Sequence, residues 1–225
     1  MTHENDEGKA RLLSEKGESY LNDGKHDLAI QSFAEALKIY SSLNDKQNQA
    51  VMLERLASVH LITNNSNKAI EYYKSLLLIL KDLDNKQAYA MVMNNMGLIY
   101  ARQKRLDEAI DCFQITLDFF KSKGDTKDVV DQLGNIGSAL RDKGDYDEAL
   151  EIYEEALAII EEIGHKVGIA DQYGNIAYIY GMKGDFPKAL EWYKRSLILY
   201  EEMNEDRKSQ LTRKNIEKLE KDIIK

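Results

Sequence analysis

The sequence predicts an all-α solenoid of five helix-turn-helix repeats, residues 10–49, 50–89, 90–129, 130–169 and 170–209, closed by a capping helix over 210–225. Three observations carry this. The chain resembles itself at a period of 40 residues with no insertion in five blocks, the mark of a repeat architecture. Proline occurs once, at Pro187, so almost nothing interrupts helices. Apolar residues fall at helical intervals within each block and make one stripe for burial.

The elements follow in order. Residues 1–9 are polar and are expected to be disordered. With each block counted from its first residue, place 8 is small (Gly17, Ala57, Gly97, Gly137, Ala177) and place 20 is always alanine (Ala29, Ala69, Ala109, Ala149, Ala189). These two places are expected to let the helices of one repeat approach closely. Place 24 is aromatic (Phe33, Tyr73, Phe113, Tyr153, Tyr193) and is expected to fill the gap to the next repeat, and place 28 is Leu37, Leu77, Leu117, Leu157 and Leu197. Gly24, Asn64, Gly144 and Gly184 share place 15, where a left-handed residue ends the first helix, and Lys104 departs from that pattern. A second set of stops at place 35, Asn44, Asp84, Gly124, Gly164 and Asn204, closes each block. Asp145 with Glu148 reads as a capping pair, and Pro187 falls in the first turn of its helix, where it is tolerated. Ile216 takes the place of Ile136 and Ile176, and Leu219 that of Ile99 and Ile179, so residues 210–225 continue the register as a solubilising cap.

Composition excludes several function classes. The net charge of −8 divides into +4 on residues 207–225 and −12 on the rest, and an acidic body argues against nucleic acid as a partner. The longest aliphatic run, Leu76–Leu80, is too short for a membrane span, and the stretch MTHENDEGKARLL lacks the apolar run expected of a signal peptide. A single cysteine, Cys112, allows no internal disulfide, and a cytoplasmic protein is the expectation. His3, His26, His60 and His165 form no helical ligand pair, and phosphate loop, nucleophile elbow and dinucleotide fingerprint are missing. Neither enzyme activity nor a metal or cofactor is expected.

The segment LGNIGSALRDKGDYDEALEIYEEALAI (133–159) resembles a tetratricopeptide repeat. The 40-residue period, longer than the usual 34, is similar to the extended repeats of kinesin light chains, Pins/LGN-type adaptors and bacterial Rap regulators. The likeness covers residues 10–209. It implies a right-handed superhelix whose first helices line a concave face, and a protein or peptide as partner. The family's closing proline is missing from every block, which longer second helices would accommodate.

On that face, places 2, 5, 6, 9, 12 and 13 point inward. Place 6 reads Glu15, Arg55, Asn95, Asn135, Asn175 and Asn215, with Asn94, Gly134 and Gly174 beside it at place 5. Asn and Gly are poor helix formers, whereas a carboxamide can both donate to and accept from an extended peptide backbone. First helices roughly 10 Å apart would space the amides by about three residues of extended chain. The resemblance implies such a ladder of Asn95, Asn135 and Asn175, with Asn215 matching more loosely. The alternative is that the amides bond a neighbouring helix or water and the glycines permit tight stacking. Val51, Leu61, Ile62, Met91, Leu98 and Ala101 offer an apolar stretch; Tyr178, Arg102 and Arg141 are further inner candidates. The carboxylate clamp of chaperone-binding relatives is absent, since Ser14, Glu18, Arg55 and Met91 stand at its places. Two other readings are a self-associating scaffold, with the basic cap meeting an acidic body, and a regulatory subunit of a signalling partner.

Overall fold

The computed structural model describes the backbone of residues 2–224 and the side chains of residues 5–223. Residue 1 of the segment expected to be disordered, and Lys225 of the cap, lie outside the described residues. Eleven α-helices succeed one another among the described residues: α1 (Thr2–Asn22), α2 (His26–Ser42), α3 (Lys46–Ile62), α4 (Ser66–Asp82), α5 (Lys86–Arg102), α6 (Leu106–Lys123), α7 (Thr126–Lys143), α8 (Tyr146–Ile163), α9 (Lys166–Met182), α10 (Phe186–Glu202) and α11 (Asp206–Ile224). The first helix therefore takes in most of the polar segment ahead of residue 10. Acidic residues at its start, among them Asp6 and Glu7, suit the positive end of the helix dipole.

The punctuation is finer than the 40-residue period. From α2 onward a helix starts every 20 residues, and each is preceded by two or three non-helical residues, the last two of which make the turn proper. The first of these two is left-handed every time: Gly24, Asn44, Asn64, Asp84, Lys104, Gly124, Gly144, Gly164, Gly184 and Asn204 have φ between 49° and 94°. The next residue's N–H reaches back five positions in Schellman fashion, as from Asp45 to the Tyr40 carbonyl (3.0 Å) and from Arg105 to the Tyr100 carbonyl (2.9 Å). Lys104 thus departs from the pattern in residue type and obeys it in backbone. First and second helices are alike at 17 or 18 residues from α2 to α10, so the expectation of longer second helices is corrected: both share the extension.

The second turn residue is the N-cap of the following helix. Asp45, Asn65 and Asp185 accept from the N–H three residues on, and so does the Nδ1 of His165, from Gly168 at 3.1 Å. Asp145 is a correction. It occupies the N-cap but makes no side-chain cap bond, and its carboxylate pairs with Lys143 at 2.9 Å instead. Pro187 sits in the first turn of α10, as the sequence predicts.

By its packing the chain divides into two units, Met1–Ile99 and Tyr100–Lys225. In the first, Ala29, Phe33, Ala36, Tyr40, Met52 and Leu56 form a core between α1, α2 and α3. In the second, Ala177, Tyr193 and Ile216 cluster where α9, α10 and α11 meet, with Leu219 against them, so the last helix covers the fifth hairpin. Its seat is fastened by Asp171 of α9, which takes the Lys208 ammonium at 2.7 and 2.9 Å and the Tyr200 hydroxyl at 2.6 Å.

All five alanines of place 20 are fully buried. In the first and fourth hairpins, however, the aromatic of place 24 lies over the small residue of its own hairpin rather than in the gap to the next. A Cβ added to Gly17 would come within 2.4 Å of the Phe33 ring, and one on Gly137 within 2.6 Å of the Tyr153 ring. The two small places therefore differ in purpose: alanine brings the helices together, and place 8 makes room for the ring.

Two outcomes are expected. Gly137→Ala lowers stability, because overpacking the fully buried Tyr153 costs about 1–3 kcal/mol against a gain of about 1 kcal/mol in helix propensity; the urea midpoint reads it. Lys104→Gly raises stability by a few tenths to about 1 kcal/mol, since it relieves a left-handed non-glycine residue at the expense of unfolded-state entropy and of an exposed pair with Asp142. A thermal melt with no rise would contradict it.

Candidate functional site

The inner places of the first helices carry the candidate residues. In the first unit, α3 and α5 flank a hollow of about 440 Å³ floored by Leu76, Leu80 and Leu83 from α4 and the turn after it. Val51 and Met91, both at place 2, form its apolar lips at 43% and 56% exposure, and Gln47, Glu54, Asn85 and Asn95 supply polar edges. Ile62 and Leu98 are exposed as well, whereas Leu61 is half-buried. The apolar inner stretch expected from the sequence is thus largely open, not spent on packing.

The polar candidates divide. Asn95 is exposed but lies within hydrogen-bonding reach of the Tyr73 hydroxyl, which Ser58 also approaches, so this amide serves a neighbouring helix. Asn94 is half-buried, and its Oδ1 is enclosed with no hydrogen-bond partner among the described residues. Arg55 is held by Glu18 at 2.6 Å across α1 and α3, which neutralises it.

In the second unit, Asn135, Asn175 and Asn215 recur at place 6 of α7, α9 and α11, all half-buried. Asn175 donates weakly to Gln172 of its own helix at 3.3 Å. Asn215 lines a smaller hollow of about 170 Å³ with Tyr178, Met182 and Lys218. Arg141 of α7 stands over the Tyr178 ring of α9 at 5.5 Å and bonds Asp142, so these two candidates come together and hold adjacent first helices in line. Arg102 is exposed.

The neighbouring glycines answer a question the sequence leaves open. A Cβ on Gly134 would meet no heavy atom within 4 Å among the described residues, and one on Gly174 would make only an ordinary contact, 3.7 Å from the Ser196 hydroxyl. Neither glycine is required by packing.

Sequence reasoning missed the tie made by Asp171, which depends on which helix lies opposite, and the cap made by His165, which is local but uses an imidazole where aspartate or asparagine is usual. His60 stacks on Tyr72 with centroids 5.4 Å apart, and burial, then Lys68, holds its imidazole below the ordinary value. No group of three or more His, Cys, Asp or Glu among the described residues is placed to hold a metal ion, and no helix there is long and apolar enough to cross a membrane.

Helix hairpins repeated in register, with apolar cores and open inner faces, define a protein-interaction scaffold. The chain belongs to the tetratricopeptide-repeat family: one profile of the family matches residues 8–82 and 132–202, and a second matches 90–119. Among solved structures it is similar to BtubC (BKLC) from P. vanneervenii, at 20% identity and a TM-score of 0.68, with 90% of each chain covered. It is also similar to a kinesin-light-chain protein of Podospora anserina with nearly identical TPR-like repeats (14% identity, TM-score 0.70, 88% of this chain and 97% of that one). A third likeness is to a signal-transduction ATPase with a tetratricopeptide-repeat sensor from Pyrococcus horikoshii (19% identity, TM-score 0.71, 94% of this chain and 34% of that one). At such identities the likeness is one of fold. No curated protein matched in sequence. Proteins of this family are in general scaffolds rather than enzymes.

The one thiol fits that picture. Cys112 is buried on α6, and burial first, then Asp111 and Glu108, pushes it up to about 11. A thiol raised above its unfolded value contributes stability that is full below about 9 and is lost as pH rises through about 11. The native protein is therefore expected to resist disulfide-exchange reagents at pH 8 (order-of-magnitude slower than the unfolded chain). Cys112→Ala should lose less stability than the parent between those two pH values. Rapid labelling of the folded chain would contradict the assignment.

Proposed function

We propose that the chain is an adaptor that holds an extended peptide of a partner protein along the inner face of its first helices, with Asn135 and Asn175 bonding the peptide backbone. Gly134 carries this reading. It costs a mid-helix position roughly 1 kcal/mol relative to alanine, and packing gives nothing in return, because the space its side chain would fill is open. Room beside a carboxamide is what a close-lying backbone needs. The apolar lips Val51 and Met91 would take aliphatic side chains, the flexible methionine adapting to more than one. Asn95, shared with Tyr73, would contribute less than Asn135. A partner of this kind is consistent with a cytoplasmic protein without cofactor.

The test uses peptides selected from a random display library on the full chain, with affinity read by fluorescence anisotropy. Asn135→Ala with Asn175→Ala is expected to weaken binding at least about tenfold, a loss of about 1–3 kcal/mol for each buried bond left unpaired. Gly134→Ala should raise stability by up to about 1 kcal/mol while weakening the same peptides. Unchanged affinity in both variants would remove the ladder as the recognition device.

A further inference from the structure

The junction of α7 with α9 and that of α9 with α11 carry corresponding notches near the N-terminal ends of the first helices, and one of them shows its own occupant. Between α9 and α11 the side chain of Lys208 lies in the notch, its ammonium 2.7 and 2.9 Å from the Asp171 carboxylate and 5.4 Å from the centre of the Tyr200 ring. One repeat earlier, 40 residues back, Asp131 stands for Asp171, Ile160 for Tyr200 and Gly168 for Lys208. That earlier notch is a hollow of about 320 Å³ with Val130, Ile160 and Ile163 as its apolar lining and Asp131 at its lip.

The chain does not fill it. Gly168 has no side chain, and a Cβ there would come within 2.5 Å of Ile160 and 2.7 Å of the His165 Nδ1, so the position that supplies the lysine one repeat on is barred from doing so here. Asp171, on the far side, is committed to Lys208 and Tyr200. Asp131 is exposed and has no ion-pair partner among the described residues. Lys127, also at the rim, acts on Asp128, a carboxyl raised by burial and then by Asp125 and Asp131. The three carboxylates outnumber that single cation.

We propose that the notch between α7 and α9 seats a lysine side chain of the bound peptide, in the position that Lys208 holds one repeat later. The apolar lining would take the methylene stem and Asp131 the ammonium, the division of labour that a long cationic side chain requires. This deepens the adaptor reading by naming one side chain of the partner, and it places the charge requirement on Asp131 rather than on the asparagines.

The experiment titrates two capped peptides, acetyl-Ala-Ala-Lys-Ala-Ala-amide and its norleucine counterpart, into the full isotope-labelled chain, followed by amide chemical shifts. The lysine peptide should shift the amides of Asp131, Ile163 and Gly168, and the norleucine peptide should shift them far less. Asp131→Asn is expected to weaken the lysine response about three- to fivefold, as for an exposed pair, while Glu154→Gln on the outer surface leaves it unchanged. Equal responses to the two peptides, or a response indifferent to Asp131→Asn, would overturn the proposal. Asn135→Ala with Asn175→Ala separates it from the ladder: library peptides that ignore the amides while the lysine response persists sink the ladder and leave the notch standing. The converse sinks only the notch.

Discussion

A left-handed residue at every twentieth position is the constraint on which the rest of the molecule depends. The ten positive φ values from Gly24 to Asn204 end one helix, and the very next residue caps another, so little loop length is left free. Helices of 17 or 18 residues, about 26 Å at 1.5 Å per residue, lie between these turns. Five of the ten positions are glycine and three are asparagine, the residues that accept this conformation most readily. Asp84 and Lys104 adopt it as well.

Given fixed ends, packing reduces to matching two places within a hairpin. An aromatic ring on the second helix needs a cleared patch on the first, and Gly17 under Phe33 or Gly137 under Tyr153 is that patch. The ring's polar end is then met locally, Tyr153 by the Ser138 hydroxyl at 3.2 Å and Tyr73 by Ser58 and Asn95. Asn95 therefore cannot be assigned to recognition alone: burying a phenol without a partner is expensive, and this amide helps to prevent it. Asn135 carries no such duty toward Tyr153, which has Ser138.

The chemistry of the rim varies from one junction to the next. Place 2 reads Arg11, Val51, Met91, Asp131, Asp171 and Leu211 along the chain. The hollow beside Arg11 is edged by Glu7 and Asn48, that of Val51 and Met91 is apolar, and that of Asp131 joins an apolar lining to a carboxylate. A repeated backbone thus carries rims that do not repeat.

The sequence by itself determined the periodic features: helix count, turn positions, alanines of place 20 and the fit of Ile216 into the register of the cap. These depend on local backbone preference and on apolar spacing, which residue type expresses directly. It could not determine which of two glycines three residues apart is structural. Gly137 is closed off by Tyr153 and Gly134 faces open space, a distinction that exists only once a ring from another helix has been placed. For the same reason only the tertiary structure decided that Arg55 is spent on Glu18, that Asp171 fastens the last helix and that Asp131, its counterpart, is left exposed. A charge is satisfied or free according to what lies a few ångströms away, and that neighbour comes from a helix some 40 residues distant in the chain.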